Sequence, residues 1–353
     1  MRIFLSQLFS TSRTSYQPSV TSLNLIYTGK TRDKCVESSY RLPVLVADPH
    51  NSATTPTPIH LLIDTGSPFT WVVSDSCKLK ISAKISPCMG TPVSTISSSI
   101  VSRTRVTFGN GQMVGNPSPM LLHLNPSSQV PSHSSNLRSD AASPLQMHVL
   151  AIAEEHGAIF ESLGMFDGIL GLARSTDPNA DADKFSFTRN LQKARTSDAE
   201  VFSLRLGEDS GNVSFGVGVE LKEGFGRFEL VGDDFWIIPG LSIHGALPVA
   251  SDSKAAVDAD TTQGFKVVLD SGTIDTALPP HLFKKLGTQK EFILTVKGKD
   301  KVYKLKIKPQ CEFIELDLTN TSFAGAVVLG QSFFVGREVR FGPTWVDIQL
   351  IGN

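Results

Sequence analysis

A short motif occurs twice in this chain, and the repeat constrains the fold more than any other feature. Each copy is an apolar run ending in aspartate, then a small hydroxyl residue, a glycine and a second hydroxyl residue; the copies are residues 61–67 and 267–273. The apolar runs predict buried strands, and the glycine permits a tight turn after each strand. One copy alone is ordinary turn chemistry. Because Asp64 and Asp270 are 206 residues apart, two copies indicate two related halves that each contribute one aspartate.

Four further elements accompany the repeat. Trp71 follows the first aspartate by seven residues, and the Phe-Gly-Asn-Gly segment 108–111 predicts a β-hairpin. Residues 166–173 read Phe-Asp-Gly-Ile-Leu-Gly-Leu-Ala, and residues 328–330 supply a second hydrophobic-hydrophobic-glycine element. In this order the elements resemble those of the pepsin-like aspartic proteases. The resemblance covers nearly the whole of the predicted folded chain, from about residue 41 to residue 350.

The resemblance implies an all-β fold with two related β-rich lobes and a cleft between them. We predict a leader over residues 1–35, an N-terminal lobe over 36–205 and a C-terminal lobe over 206–353. Composition agrees with this, since 353 residues suffice for two cores. Many glycines, prolines and short alternating stretches favour strands over helix bundles.

By resemblance, Asp64 and Asp270 form the catalytic pair. Two carboxylates in hydrogen-bonding contact cannot both ionise cheaply, so they share a proton, activate a water and protonate the scissile carbonyl. The implied chemistry needs no metal or cofactor. The residues predicted to support the pair are Thr65, Gly66, Ser67, Ser271, Gly272 and Thr273. Ser67 and Thr273 match hydroxyls that hold the outer carboxylate oxygens, the alternative being simple loop hydrogen bonding.

The predicted flap and its substrate-binding neighbours are Phe108, Gly109, Gly111 and Trp71. The family normally has a tyrosine where this chain has Phe108, so the bond from that hydroxyl to the tryptophan is lost. We therefore expect reduced or altered activity. The substrate is expected to be an extended peptide that lies in the cleft and pairs with the flap.

The second half departs from the family after its aspartate motif. Ile274 and Asp275 replace small hydroxyl residues. Asp275 is either a third carboxylate near the cleft or, as is more frequent for such a residue, directed to solvent. The second aspartate precedes Gly330 by 60 residues, against 107 for the matching interval in the first half. This predicts an abbreviated second lobe.

The chain has four cysteines. By resemblance, Cys77 and Cys88 close a small disulfide loop. Cys35 and Cys311 either pair or remain free buried thiols, and sequence alone does not decide between these states. None of the spacings fits a zinc site.

The leading interpretation is an aspartic endopeptidase with an acidic optimum, acting on proteins or peptides as a monomer in a secreted or vacuolar compartment. The rival is a catalytically weak or inactive binding or inhibitor protein on the same fold. A net charge of −1 does not point to nucleic acid or an anionic membrane, and no apolar run approaches a membrane span of about 20 residues. The first residues resemble either a poor signal peptide or a disordered leader.

Overall fold

The structure is a computed structural model of the whole chain. It describes residues 21–27, 39–50, 55–81, 84–88, 90–93, 103–108, 111–124, 144–156, 167–174, 184–195, 201–232, 235–245, 264–316 and 323–351.

Most of the described chain is extended. The strands are β1 Thr21–Tyr27, β2 Tyr40–Ala47, β3 Thr57–Asp64, β4 Trp71–Ile81, β5 Lys84–Pro87, β6 Thr104–Phe108, β7 Gly111–Leu124, β8 Leu145–His156, β9 Gly168–Gly171, β10 Phe202–Leu206, β11 Ser210–Phe215, β12 Phe225–Glu229, β13 Ile237–Gly245, β14 Phe265–Leu269, β15 Ala277–Leu278, β16 Phe292–Lys297, β17 Val302–Ile307, β18 Ile314–Glu315, β19 Val327–Leu329, β20 Glu338–Phe341 and β21 Trp345–Gln349. The helices are α1 Phe187–Arg195, α2 Pro280–Leu286 and α3 Gln331–Phe334. Among these helices none is long and apolar enough to cross a membrane.

The strands form two sheets. The larger sheet has the order β12-β21-β20-β10-β11-β1-β2-β3-β9-β4-β8-β7-β6, with β5 beside β4. β2 also pairs with β7, and this pairing closes a ring of six neighbouring strands in the order β2-β3-β9-β4-β8-β7. The smaller sheet has the order β17-β16-β13-β14-β19-β15-β18. This mostly β architecture confirms the predicted fold class.

Each aspartate motif begins with a buried strand, as predicted. Residues 61–63 of β3 and residues 267–269 of β14 are all at most 4% exposed. β3 runs parallel to β9, and β14 runs parallel to β19. The strand beside each motif ends in the predicted hydrophobic-hydrophobic-glycine element, so both halves build their aspartate turns in the same way.

The larger sheet joins strands from both halves, because β10 pairs with β11 on one side and with β20 on the other. Aromatic packing fills the junction: the rings of Phe202 and Phe341 stack with centroids 4.7 Å apart, and Trp236 packs edge-on to Phe202. The Trp236 indole N–H donates to the carbonyl of Leu172 at 3.0 Å. The lobe boundary between residues 205 and 206 stays a prediction.

The prediction of a leader over residues 1–35 is wrong for residues 21–27. These residues form β1, which pairs with β11 over six positions and with β2 over two. Leu23 and Leu25 are buried. The alternation of these leucines with polar residues provides one apolar face, and that face packs into the core. Residues 1–20 and 28–38 lie outside the described residues.

The stretch 117–144 is rich in Pro, Ser and Asn, and its first residues form a strand. β7 continues to Leu124, with Met120, Leu122 and Leu124 buried. β6 pairs with β7 only up to residue 115 and β2 only from residue 121. Pro117 and Pro119 therefore lie where β7 has a strand on one side only, which tolerates a missing N–H. Residues 125–143 lie outside the described residues.

Candidate active site

The two aspartate turns meet with each carboxyl against the glycine of the opposite turn. A Cβ atom added to Gly66 would lie 2.5 Å from Cγ of Asp270, and one added to Gly272 would lie 2.5 Å from Cγ of Asp64. Real Cβ atoms do not approach other atoms this closely, so only glycine fits either position. The structure thus brings together two carboxyls whose residues are far apart in sequence.

Reciprocal hydrogen bonds fix the two turns against each other. The Thr65 hydroxyl donates to the carbonyl of Leu269 at 3.0 Å and accepts the backbone N–H of Ser271 at 2.9 Å. The Ser271 hydroxyl donates to the carbonyl of Ile63 at 2.8 Å and accepts the backbone N–H of Thr65 at 3.1 Å. Both hydroxyl residues are almost completely buried. These bonds hold the carboxyls at a defined separation.

The environment of Asp64 favours its protonated form. The side chain is 2% exposed. Burial, the negative charge of Asp270 and a hydrogen bond between the two carboxyls raise the pKa of Asp64 well above its usual value. Backbone N–H donors of Gly66 and Ser67 oppose this rise without cancelling it. The environment of the pair therefore favours a state in which one proton is shared between the two carboxyls.

The second hydroxyl of each motif has a different partner in the two halves. The Thr273 hydroxyl donates to Asp270 Oδ2 at 2.7 Å, and the Gly272 N–H donates to Asp270 Oδ1 at 2.8 Å. The Ser67 hydroxyl instead donates to the carbonyl of Phe69 at 3.2 Å. Thr273 therefore holds an outer carboxylate oxygen as expected, whereas Ser67 makes the local loop bond that the alternative interpretation describes.

The favoured interpretation of Asp275 as solvent-directed is wrong. Asp275 is 2% exposed. Its carboxylate accepts the backbone N–H groups of Thr276 at 3.0 Å, Gln310 at 3.1 Å and Cys311 at 2.9 Å. These donors come partly from a segment 35 residues further along, which is why local sequence does not reveal them. Asp275 holds this segment beside the second aspartate turn.

The hydrophobic-hydrophobic-glycine elements support the turns from behind. A Cβ on Gly171 would lie 2.5 Å from the carbonyl oxygen of Phe69, and a Cβ on Gly330 would overlap the carbonyl oxygen of Asp275. The Leu172 N–H donates to the Asp64 carbonyl at 2.8 Å. The close approach that both glycines permit keeps each turn at the end of its strand.

The predicted flap is an antiparallel hairpin of β6 and β7, in which the Phe108 backbone lies opposite Gly111. Gly109 and the Phe108 side chain lie outside what the structure describes. Trp71 is 2% exposed and belongs to an apolar cluster with Leu62 and Met113. It therefore forms part of the core beneath the flap strand, not an open binding surface.

The predicted disulfide is confirmed: Cys77 and Cys88 are bonded, with an S–S distance of 2.07 Å. Cys311 is also disulfide-bonded, and Cys35 lies outside the described residues. The two sulfurs of the first disulfide and a carboxylate oxygen of Glu155 lie within 4.8 Å of one another. Because the sulfurs are joined to each other, they are not thiolates that could bind a metal.

Sequence analysis missed Glu155, a buried carboxyl next to this disulfide. Glu155 lies on β8 opposite Met113 of β7 and is 4% exposed. Burial raises its pKa to about 7. The signal was the adjacent pair Glu154–Glu155 directly after the apolar run of β8, since adjacent strand residues point to opposite faces of the sheet.

Comparison with known proteins agrees with this geometry. The family model described as eukaryotic aspartyl protease matches residues 143–325, just over half of the chain. The matched range includes Asp270 and its turn, while Asp64 precedes it. A search of curated proteins finds no match. The family match, the duplicated aspartate turns and the mostly β fold lead to one conclusion: this chain belongs to the eukaryotic aspartyl protease family.

Proposed function

We propose that this protein is an aspartic endopeptidase in which Asp64 and Asp270 activate a water molecule to cleave peptide bonds. The observation that carries the proposal is the reciprocal packing of each carboxyl on the opposite glycine, Gly272 or Gly66. This packing brings the carboxyls close enough for one of them to keep a proton.

The environments of the two carboxyls suggest their roles. Asp270 accepts bonds from the Gly272 N–H and the Thr273 hydroxyl, as suits an ionised group. It takes a proton from the attacking water. Asp64 gives its proton to the carbonyl oxygen of the scissile bond, so the tetrahedral intermediate forms without an unpaired negative charge. Asp270 then gives the proton from the water to the amine nitrogen while Asp64 takes a hydroxyl proton from the intermediate, so the C–N bond breaks to give a carboxylic acid and an amine, and both carboxyls return to their starting protonation states.

Membership of the family implies protein substrates. We propose that the substrate lies extended beneath the β6–β7 hairpin, that the protein acts as a monomer, and that it works in a secreted or vacuolar compartment. We also propose two lobes that divide near residue 205. Phe108 replaces the flap tyrosine of the family, and the expected consequence is lower activity with the same chemistry.

The test is cleavage of casein between pH 2.5 and 7 by wild type, Asp64→Asn and Asp270→Asn. We expect acid-dependent cleavage that pepstatin inhibits and that each substitution lowers by about 100- to 10,000-fold, the range for lost acid–base catalysis. Asp300→Asn is the control, because Asp300 is exposed and remote in sequence from both turns. Full activity in either dyad variant would refute the proposal.

The second candidate function is a binding or inhibitor protein with little activity, and the absence of a tyrosine at Phe108 favours it. It predicts that folded wild type binds pepstatin, measured by calorimetry, but cleaves no substrate at any pH. Cleavage that depends on both aspartates would exclude it.

A further inference from the structure

The chain as a whole is nearly neutral, but one segment of it is strongly basic. Residues 284–308 contain nine lysines, no arginine and only two acidic residues, Glu291 and Asp300, so nine positive and two negative charges give +7. Since the whole chain carries −1, the remaining residues carry −8. We call these nine lysines the lysine strip. All nine are exposed.

Five of the nine lysines lie within one hairpin of the smaller sheet, and the other four flank it in sequence; the five are Lys297, Lys299, Lys301, Lys304 and Lys306. β16 and β17 pair over six positions, about 20 Å of strand. β17 is the last strand at this end of its sheet. Along β17 the exposed residues Lys304 and Lys306 alternate with the buried residues Leu305 and Ile307. Lys304 and Lys306 thus lie on the exposed face of an edge strand.

The inner face of this hairpin is packed, so its position is defined. The Tyr303 ring lies 5.0 Å from the ring of Phe228 on β12. The backbone N–H of Lys299 donates to the carbonyl of Arg227 at 2.9 Å. The hairpin therefore presents its lysines from a fixed framework and not from a loose loop.

Within the part of the chain that the structure describes, few of these charges have an acidic partner. Among the described residues, the carboxylate partner found for the strip is Glu291, which pairs with Lys306 at 2.8 Å. Lys301 lies over the Tyr303 ring at 5.1 Å. The Lys306 side chain is still 55% exposed in its ion pair, so a competing carboxylate can reach it.

We propose that the β17 edge binds an acidic polypeptide segment, which adds to the sheet as a further strand and places alternate carboxylates opposite Lys304 and Lys306. The edge offers backbone donors and acceptors to such a strand. Opposite charges across neighbouring strands stabilise the pairing, and like charges oppose it. The lysines would therefore repel a second copy of this edge while accepting an acidic one.

This interaction is independent of peptide cleavage, so it can be measured on the full-length Asp64→Asn protein, in which cleavage of the probe is minimised. The probe is a fluorescein-labelled ten-residue peptide of alternating Glu and Thr, titrated by fluorescence anisotropy in 20 mM NaCl. A peptide with the same composition but with its five Glu residues in one block tests for strand geometry. Heparin and vesicles containing anionic lipid test for other polyanion partners.

The decisive variant is Lys304→Ser/Lys306→Ser. Its matched control is Lys78→Ser/Lys84→Ser, which removes two exposed lysines from the β4–β5 pair of the other half. We expect the strip variant to weaken binding of the alternating peptide about fivefold, the control to leave it unchanged, and 200 mM NaCl to weaken it further. Thermal melting verifies that each variant is folded.

Three results would overturn the proposal. The first is no binding of the alternating peptide in 20 mM NaCl. The second is equal binding of the two peptides, or equal loss in both lysine variants, since either would mean that the protein senses charge alone. The third is tight binding of heparin or anionic vesicles without binding of the alternating peptide, which would assign the strip to a different class of partner.

Discussion

The two aspartate turns share the glycine that meets the opposite carboxyl and the hydroxyl that bonds to the other half, and they differ at the second hydroxyl and just beyond it. In both, a buried strand leads to Asp, hydroxyl residue and Gly, and the hydroxyl is bonded across to the other half. Five residues after each aspartate the halves diverge, with Phe69 in the first and Asp275 in the second. The two halves are thus alike where the carboxyls meet, and they differ where each turn contacts the rest of its own half.

Phe69 and Asp275, the residues at which the halves differ, stabilise their turns by different kinds of interaction. The Phe69 ring packs edge-on against Phe185 at 5.6 Å, an apolar contact. Asp275 instead uses a buried carboxylate to bind the N–H groups of Gln310 and Cys311. The half-buried Phe69 contact tolerates volume-conserving substitutions, whereas a buried polar group is costly when its partner is removed. The second turn is therefore the more sensitive to substitution.

The shared part of the comparison predicts the largest effect. Gly66→Ala and Gly272→Ala should each lower kcat by about 100-fold, because the new Cβ displaces the opposite carboxyl and a shift of about 1 Å has this cost. Casein cleavage measures the loss. Gly218→Ala is the control, since its Cβ would meet nothing within 4 Å. Normal activity in just one of the two glycine variants would contradict our inference that the two glycines play equivalent roles.

The pH dependence of stability should come mainly from buried carboxyls of the first half, and Glu155 is the one of these that lies outside the aspartate turns. Its folded pKa of about 7 exceeds the ordinary value of 4.5, so its contribution to stability is complete below about pH 4.5 and is lost as pH rises towards 7. A shift of this size corresponds to about 3 kcal/mol of unfolding free energy. Urea denaturation at pH 4.5 and pH 7.5 measures the loss, and Glu155→Gln should reduce it.

Glu154 is the matched control for this pH effect. It lies on the same strand, but its bond to Lys80 lowers its pKa. Its contribution therefore has the opposite sign and is lost as pH falls. If Glu154→Gln flattened the loss of stability above pH 4.5 as much as Glu155→Gln, the assignment to the buried carboxyl would be wrong.

The divergent position of the second half predicts a smaller effect on stability. Asp275→Asn should lower the unfolding free energy by about 2 kcal/mol, because the amide cannot accept all the N–H bonds that the carboxylate accepts. Asp300→Asn, at an exposed position, should change it by less than about 0.5 kcal/mol. Urea denaturation compares the two, and equal effects would show that the three bonds to Asp275 contribute nothing.

The smallest predicted effect concerns the second hydroxyl of each motif. Thr273→Ala should lower kcat about tenfold, because it removes a hydrogen bond to a charged carboxylate. Thr273→Ser should restore activity. Ser67→Ala should change kcat by less than about twofold, since the Ser67 hydroxyl bonds Phe69 and not Asp64. Equal losses in the two alanine variants would mean that the halves use these hydroxyls alike.

Local patterns account for what was predictable. The strands before Asp64 and Asp270 and the β6–β7 hairpin follow from apolar periodicity and turn residues within short windows. The Cys77–Cys88 disulfide followed from family resemblance. β1 escaped prediction because its register depends on β11, almost 190 residues away. The environment of Asp275 escaped for the same reason, since its donors Gln310 and Cys311 lie far along the chain.

The sequence by itself determined that two halves each end a buried strand in an aspartate, because strand, turn and repeat are properties of neighbouring residues. Only the tertiary structure decided that the two carboxyls meet and that burial raises the pKa of Asp64. That meeting depends on contacts between the halves: each carboxyl lies against the glycine of the opposite turn, and Thr65 and Ser271 are each bonded to the opposite half. Desolvation and charge act through space, and sequence order does not specify those distances.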